Sequence, residues 1–156
     1  MIGYSGAIAV TQDQIIGAQR VTTDNDWLLP MVAAVEEQCG EKAENVVADS
    51  GRYSNANAAR LEEQHSAAYV PDSNGAAALN QGGRVQGRAR APERKRMRAK
   101  LRSSAGRALY ARRKAMVEGV FGVLKSEREL HRFRLRGLIK VGIEFTLATA
   151  AFNLTG

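Results

Sequence analysis

Cysteine, histidine and proline are scarce in this 156-residue sequence, which has one, two and three of them respectively. The single cysteine, Cys39, excludes an internal disulfide, and the lack of a Cys/His cluster argues against a zinc site. No Walker-type phosphate loop and no G-x-S-x-G nucleophile turn is present. We also find no secretory pattern after Met1 and no continuous apolar run near the roughly 18 residues of a membrane span. We therefore expect a cytoplasmic protein with a reduced cysteine and no membrane partner.

Charge is distributed unevenly along the chain. Residues 1–80 contain 4 Lys/Arg and 11 Asp/Glu, whereas residues 81–156 contain 19 Lys/Arg and 5 Asp/Glu. The first part therefore carries −7 and the second +14, which together give the formal net charge of +7. A segment this basic is typical of proteins that bind a polyanion, most often nucleic acid. The plainer alternative is a surface that only keeps the protein soluble.

Alternating strand and helix signals predict an α/β fold with some parallel strand pairing. The predicted elements are, in chain order, strands over 4–10 and 14–22, a helix over 27–39, a strand over 45–48, a helix to about 64, a strand over 67–70, and helices over 105–129 and 138–153. The last of these helices is apolar enough to be well buried. We expect one domain over 1–156. Residues 72–106 are rich in Gly, Ala, Ser and Arg without an apolar period, which predicts a flexible basic insertion.

One face of the helix over 105–129 carries an acid between two cations. At about 100° of rotation per residue, Lys114, Glu118 and Lys125 fall within one narrow stripe, whereas Val120 and Leu124 turn towards the core. Two hypotheses follow. Glu118 forms an ordinary surface ion pair, or it binds a metal beside a nucleic acid backbone.

The residues around Glu118 read VEGVFGVLK at 117–125, those around Asp49 read NVVADSGRYSNAN at 45–57, and the chain continues with RFRLRGLIKV. In this order they resemble the DDE transposases of bacterial insertion sequences. The resemblance implies an RNase H-like catalytic core in which Asp49 and Glu118 are catalytic, metal-binding acids. It also implies two Mg²⁺ or Mn²⁺ ions, metal-dependent cleavage and transfer of DNA strands, and a homodimer assembled on transposon ends and target DNA.

The same resemblance assigns DNA-binding roles to basic residues. Lys125 matches the lysine that follows the family's glutamate by seven residues. The family's tyrosine and arginine, seven and four residues before the glutamate, fall here on Ala111 and Lys114, while Tyr110 and Arg113 lie one position away. We expect Lys114, Arg113 and Lys125 to contact DNA phosphates. Further along the chain, alternation predicts an extended segment with one buried face and an exposed arginine face along the DNA, formed by Arg132, Arg134 and Arg136.

Two departures from the family pattern affect the predicted site. Arg52 follows Gly51 where the family usually has an aromatic residue, which places a cation beside Asp49. The first of the family's three acids is normally upstream of the region that GYSGAIAV resembles, so we expect the chain to be a C-terminal fragment of a catalytic domain, incomplete at its N-terminus. The alternatives are a non-catalytic basic nucleic-acid-binding protein and an inactive transposase remnant.

Overall fold

The computed structural model describes residues 5–22, 26–64, 67–126, 130 and 132–155. It has a mixed α/β architecture, which confirms the α/β part of the predicted fold class, whereas the RNase H-like core stays a prediction. The elements are β1 (Ser5–Val10), β2 (Ile16–Thr22), α1 (Leu28–Cys39), β3 (Val46–Val47), α2 (Asn55–Gln64), β4 (Ala68–Tyr69), α3 (Ser73–Gln81), α4 (Pro92–Arg102), α5 (Ser104–Ser126) and α6 (Leu138–Thr155). The chain divides into two compact units, here called unit 1 (1–42 and 115–156) and unit 2 (43–114).

Unit 1 is built on the antiparallel β1–β2 hairpin, whose register pairs Ser5 with Thr22. α6 packs on this hairpin, and its Asn153 side chain accepts from the Ile16 N–H and donates to the Ile16 carbonyl, both at 2.9 Å. A Cβ at Gly6 would lie 3.0 Å from the Phe145 ring, so the absent side chain permits close packing of helix on strand. The main apolar cluster of the unit contains Ile16, Val120, Leu124 and Phe152.

Unit 2 contains the parallel pair β3–β4, in which Val46 pairs with Ala68 and Val47 with Tyr69. This confirms the predicted parallel pairing. α2 and α4 contact β4 and each other, and their buried side chains include Leu61 and Met97.

Residues 72–106 contain two regular helices where the sequence predicts an irregular basic loop. α3 begins after Asp72, whose side chain accepts a hydrogen bond from the Gly75 N–H at 2.8 Å, and α4 begins with Pro92 at its first position. The side chains of Met97 and Leu101, one helical turn apart, are buried on the inner face of α4. The prediction of a loop is therefore wrong. The helix α4 was missed because two apolar residues among many charges give only a weak periodic signal. That 72–106 is an insertion stays a prediction.

α6 is apolar on two opposite faces. One face is buried through Val141, Phe145, Thr149 and Phe152, and the other exposes large apolar side chains, namely Ile139, Ile143, Leu147 and Leu154. The prediction that this helix is well buried is therefore only half correct. By length and composition alone α6 could also cross a membrane, contrary to the expectation of no such stretch. Core helices of soluble proteins pass the same test, so this argument for a membrane is weak.

Candidate functional site

Asp49 follows the end of β3 in unit 2. The Ala48 N–H donates to the Tyr69 carbonyl at 3.2 Å, which extends the parallel pairing as far as the residue before the acid. Asp49 then begins a short 3₁₀ turn over Ser50–Arg52. Its side chain is 53% exposed, and its Oδ1 lies 3.8 Å from Nε of Arg52. The carboxylate is thus accessible from solvent but already has a cation beside it.

A tyrosine–arginine stack lies within the electrostatic reach of Asp49. Tyr110 on α5 is buried, and the Arg113 guanidinium lies 4.9 Å from the centroid of its ring. Burial raises the pKa of Tyr110, the Asp49 carboxylate raises it further, and Arg113 acts in the opposite direction. Sequence reasoning placed Tyr110 one position away from the family pattern and gave it no role. The structure brings it into the surroundings of Asp49.

Glu118 and Lys125 lie on the part of α5 that belongs to unit 1, and both are exposed. They line a surface depression of about 400 Å³ together with Phe121 and Gly122. Glu118 and Lys125 of the predicted stripe thus lie on one side of the helix, and Val120 and Leu124 are buried on the other. Lys114 is exposed on the same helix, in the part that belongs to unit 2.

The three predicted DNA-binding arginines of the segment before α6 are all exposed, namely Arg132, Arg134 and Arg136. Glu144 of α6 accepts hydrogen bonds from the backbone N–H groups of Arg134 and Leu135 at 2.9 and 3.0 Å. Phe133 packs edge-to-face on Phe145 with ring centroids 5.9 Å apart, whereas Leu135 is 46% exposed. The predicted buried face is thus confined to Phe133, and the exposed side chains are Arg132, Arg134 and Arg136.

Sequence reasoning missed Glu144, which fixes the backbone of this segment. The available signal was its composition, because Glu144 is the single acid in a largely apolar helix. A buried or half-buried carboxylate in such surroundings requires hydrogen-bond donors.

The donor groups for a metal are hard carboxylates, which suit Mg²⁺ or Mn²⁺. Asp49 lies in unit 2 and Glu118 in unit 1. Within the described ranges no three His, Cys, Asp or Glu side chains come together as a metal-binding group. Arg52, whose Nε lies 3.8 Å from the Asp49 carboxylate, would oppose a cation bound there.

A family model described as "Transposase DDE domain" matches residues 77–155, which include Glu118, Lys125 and the arginine segment before α6. No curated protein and no solved structure matches the chain.

Proposed function

Since the chain belongs to the transposase DDE domain family, in the insertion-sequence group, we propose that it takes part in the cleavage and transfer of DNA strands during transposition. The observation that carries this proposal is the match over 77–155, which covers the α5 stripe of Glu118 and Lys125. Transposases of this family act on DNA and typically use divalent metal ions.

The finer assignment rests on the family pattern and on the chemistry of the residues. The proposed fold is a single RNase H-like core, with residues 72–106 as its insertion. The proposed catalytic, metal-binding acids are Asp49 and Glu118, both of which present exposed carboxylates. The proposed phosphate contacts are Lys114, Lys125, Arg113, Arg132, Arg134 and Arg136, and the proposed location is the cytoplasm.

Metal-dependent nicking of supercoiled DNA tests the catalytic role. We expect nicking in Mg²⁺ or Mn²⁺ that is abolished by EDTA and lost in Asp49→Ala and in Glu118→Ala. Glu63→Ala removes an exposed carboxylate of α2 and is the matched control, expected to retain activity. Inactivity of the unmodified protein with every divalent cation, at DNA concentrations that saturate binding, would count against the proposal.

A second candidate is a non-catalytic DNA-binding protein of the same ancestry. It is favoured by the charge of unit 2, which holds 15 Lys/Arg and 6 Asp/Glu, and by the lack of a three-ligand group among the described residues. This hypothesis predicts that Asp49→Ala and Glu118→Ala bind DNA as tightly as the unmodified protein. It also predicts no metal bound above background by equilibrium dialysis with Mn²⁺.

A further inference from the structure

A buried ion pair in unit 2 joins the start of α3 to the middle of α4. Asp72 and Arg98 are both 7% exposed, and the Arg98 Nε donates to the two carboxylate oxygens at 3.3 and 3.1 Å. Nη2 of Arg98 donates to Oδ2 as well, which makes the pair bidentate. Neither residue has a part in the proposed catalytic site. A buried pair with this many hydrogen bonds fixes geometry, because breaking it would leave a charge uncompensated.

The third guanidinium nitrogen of Arg98, Nη1, contacts the loop between α3 and α4. It donates to the Gly87 carbonyl at 2.7 Å. Gly87 has φ of 80°, and a Cβ there would lie 2.8 Å from the Asn74 side chain, so this position favours glycine. We call this arrangement of Asp72, Arg98 and Gly87 the clamp. It holds the middle of a segment that would otherwise be an unsupported ten-residue connection between helices.

The clamped loop presents its charges to solvent. Arg84, Arg88 and Arg90 are all exposed, and no hydrogen bond or ion pair to another described residue engages their side chains. By contrast, the arginines of α4 next to the clamp have partners inside unit 2. Arg94 lies 3.6 Å from Asp72 and over the Tyr53 ring, and Arg96 pairs with Glu62 at 2.8 Å.

We propose that Arg84, Arg88 and Arg90 form a strip that binds the phosphate backbone of double-stranded DNA, and that the clamp holds this strip in its binding conformation. Three guanidinium groups with no partner among the described residues, on one short loop, suit phosphates, and Val85 is the one large apolar side chain between them. A loop already fixed at its middle loses less conformational entropy on binding. The choice of DNA as the polyanion rests on the proposed function. The positions of the three arginines are observed independently of it.

Salt-dependent DNA binding of the full chain in EDTA tests the strip. A random-sequence duplex is titrated by fluorescence anisotropy from 50 to 200 mM NaCl, and log K is plotted against log [NaCl]. Each lost phosphate contact reduces the slope by about 0.9, so Arg84→Gln/Arg88→Gln/Arg90→Gln should reduce it by about 2.7. The control, Arg20→Gln/Lys42→Gln/Arg60→Gln, removes the same charge from other exposed positions and should change the slope less. Equal slopes for the two triple variants would overturn the proposal.

The clamp is tested without any change of charge. Gly87→Ala strains the loop at a positive φ, while Gly83→Ala, at a position with open space around it, is the control. We expect Gly87→Ala to keep a cooperative thermal melt and to bind the duplex at least threefold more weakly at 100 mM NaCl, with Gly83→Ala unchanged. Gly87→Ala binding as tightly as the unmodified protein would refute the role of the clamp.

The binding assay contains EDTA and so does not depend on catalysis. If the unmodified protein fails to nick DNA in Mg²⁺ or Mn²⁺ but its DNA binding depends on the strip, only the proposed function is rejected. If the unmodified protein nicks DNA but its DNA binding does not depend on the strip, only the strip is rejected.

Discussion

Asp72 is a buried carboxylate whose charge has several partners. Burial by itself would raise its pKa, but hydrogen bonds from Arg98 and the Gly75 N–H, and the charges of Arg98 and Arg94, together lower the pKa below its usual 3.8. A carboxyl group with a lowered folded pKa stabilises the protein above its unfolded pKa. That stabilisation is lost as the pH falls through the folded pKa.

We expect the free energy of unfolding to fall as the pH drops below about 4, because the Asp72 carboxyl of the unfolded chain then takes up a proton that the folded carboxyl, with its lowered pKa, does not yet bind. Asp72→Asn should flatten this acid limb and cost about 3–5 kcal/mol at pH 7, since Arg98 stays buried without its anion. Urea unfolding followed by circular dichroism between pH 2.5 and 7 measures both effects. Glu63→Gln, at an exposed position of α2, is the control and should behave like the unmodified protein. An acid limb of unchanged steepness in Asp72→Asn would contradict this account.

Arg52 gives a second prediction for a single residue. Its Nε lies 3.8 Å from the Asp49 carboxylate, and an opposite charge at about 4 Å in water is worth about 1 kcal/mol, or roughly fivefold in a binding constant. Arg52→Ala should therefore strengthen Mn²⁺ binding about fivefold by equilibrium dialysis, and adding Asp49→Asn should remove the gain. Arg60→Ala, on α2, tests whether the loss of any positive charge is sufficient. A gain that survives Asp49→Asn would show that the metal binds elsewhere.

At the scale of elements, the corner between α4 and α5 leaves no room for a side chain. The Ser103 Oγ donates to the Lys100 carbonyl at 2.7 Å and accepts from the Gly106 N–H at 3.0 Å, which turns the chain within one residue. A Cβ at Gly106 would lie inside van der Waals contact with that same carbonyl oxygen. Because the obstructing atom belongs to the backbone, it cannot move aside as a flexible side chain would.

Gly106→Ala should therefore destabilise the protein by about 1–3 kcal/mol despite the higher helix propensity of alanine. Gly119→Ala, further along α5 in open space, should stabilise it by about 1 kcal/mol. Thermal unfolding of the two variants and the unmodified protein measures this difference. Similar melting temperatures for both variants would mean that the backbone around Lys100 and Gly106 shifts to accommodate the Cβ at little cost in free energy.

Local sequence patterns predicted most elements because their stabilising contacts are local or apolar. α1 follows from a three-to-four spacing of apolar residues, β1 and β2 from short β-favouring runs on either side of a turn, and α6 from a long apolar stretch. α4 was missed because its one polar core residue, Arg98, is neutralised by Asp72, 26 residues earlier, and no local pattern reports such a partner. Glu144 was missed for a similar reason, since its partners are backbone N–H groups of another segment. The assignment of Asp49 and Glu118 as catalytic acids came from resemblance and stays a prediction.

The whole molecule separates its charge between the two units. Unit 2 holds 15 Lys/Arg and 6 Asp/Glu, a net charge of +9, whereas unit 1 holds 8 and 10, a net charge of −2. Repulsion within so basic a unit disfavours its compact state. The exposed charges are screened by salt, whereas the Asp72–Arg98 pair is buried and screened much less.

Raising NaCl from 50 to 500 mM should therefore raise the melting temperature of the protein in the absence of DNA. The strip variant Arg84→Gln/Arg88→Gln/Arg90→Gln should show a smaller rise, because it has less repulsion to screen. Differential scanning calorimetry at pH 7 provides the measurement, with sucrose as a control for effects of solvent exclusion. A melting temperature that falls with salt would indicate that attractive ion pairs, such as Arg96–Glu62, outweigh repulsion.

The two faces of α6 are both largely apolar, but they should differ in how well they tolerate substitution. In a saturation mutagenesis library scored by abundance, polar substitutions at Val141, Phe145 and Phe152 should be depleted, whereas those at Ile139 and Leu147 should persist. Tolerance would then oscillate with a period of 3.6 residues along a helix whose hydropathy profile is almost flat. Ile139→Lys and Leu147→Glu are accordingly the substitutions with which to improve expression and crystallisation without disturbing the core.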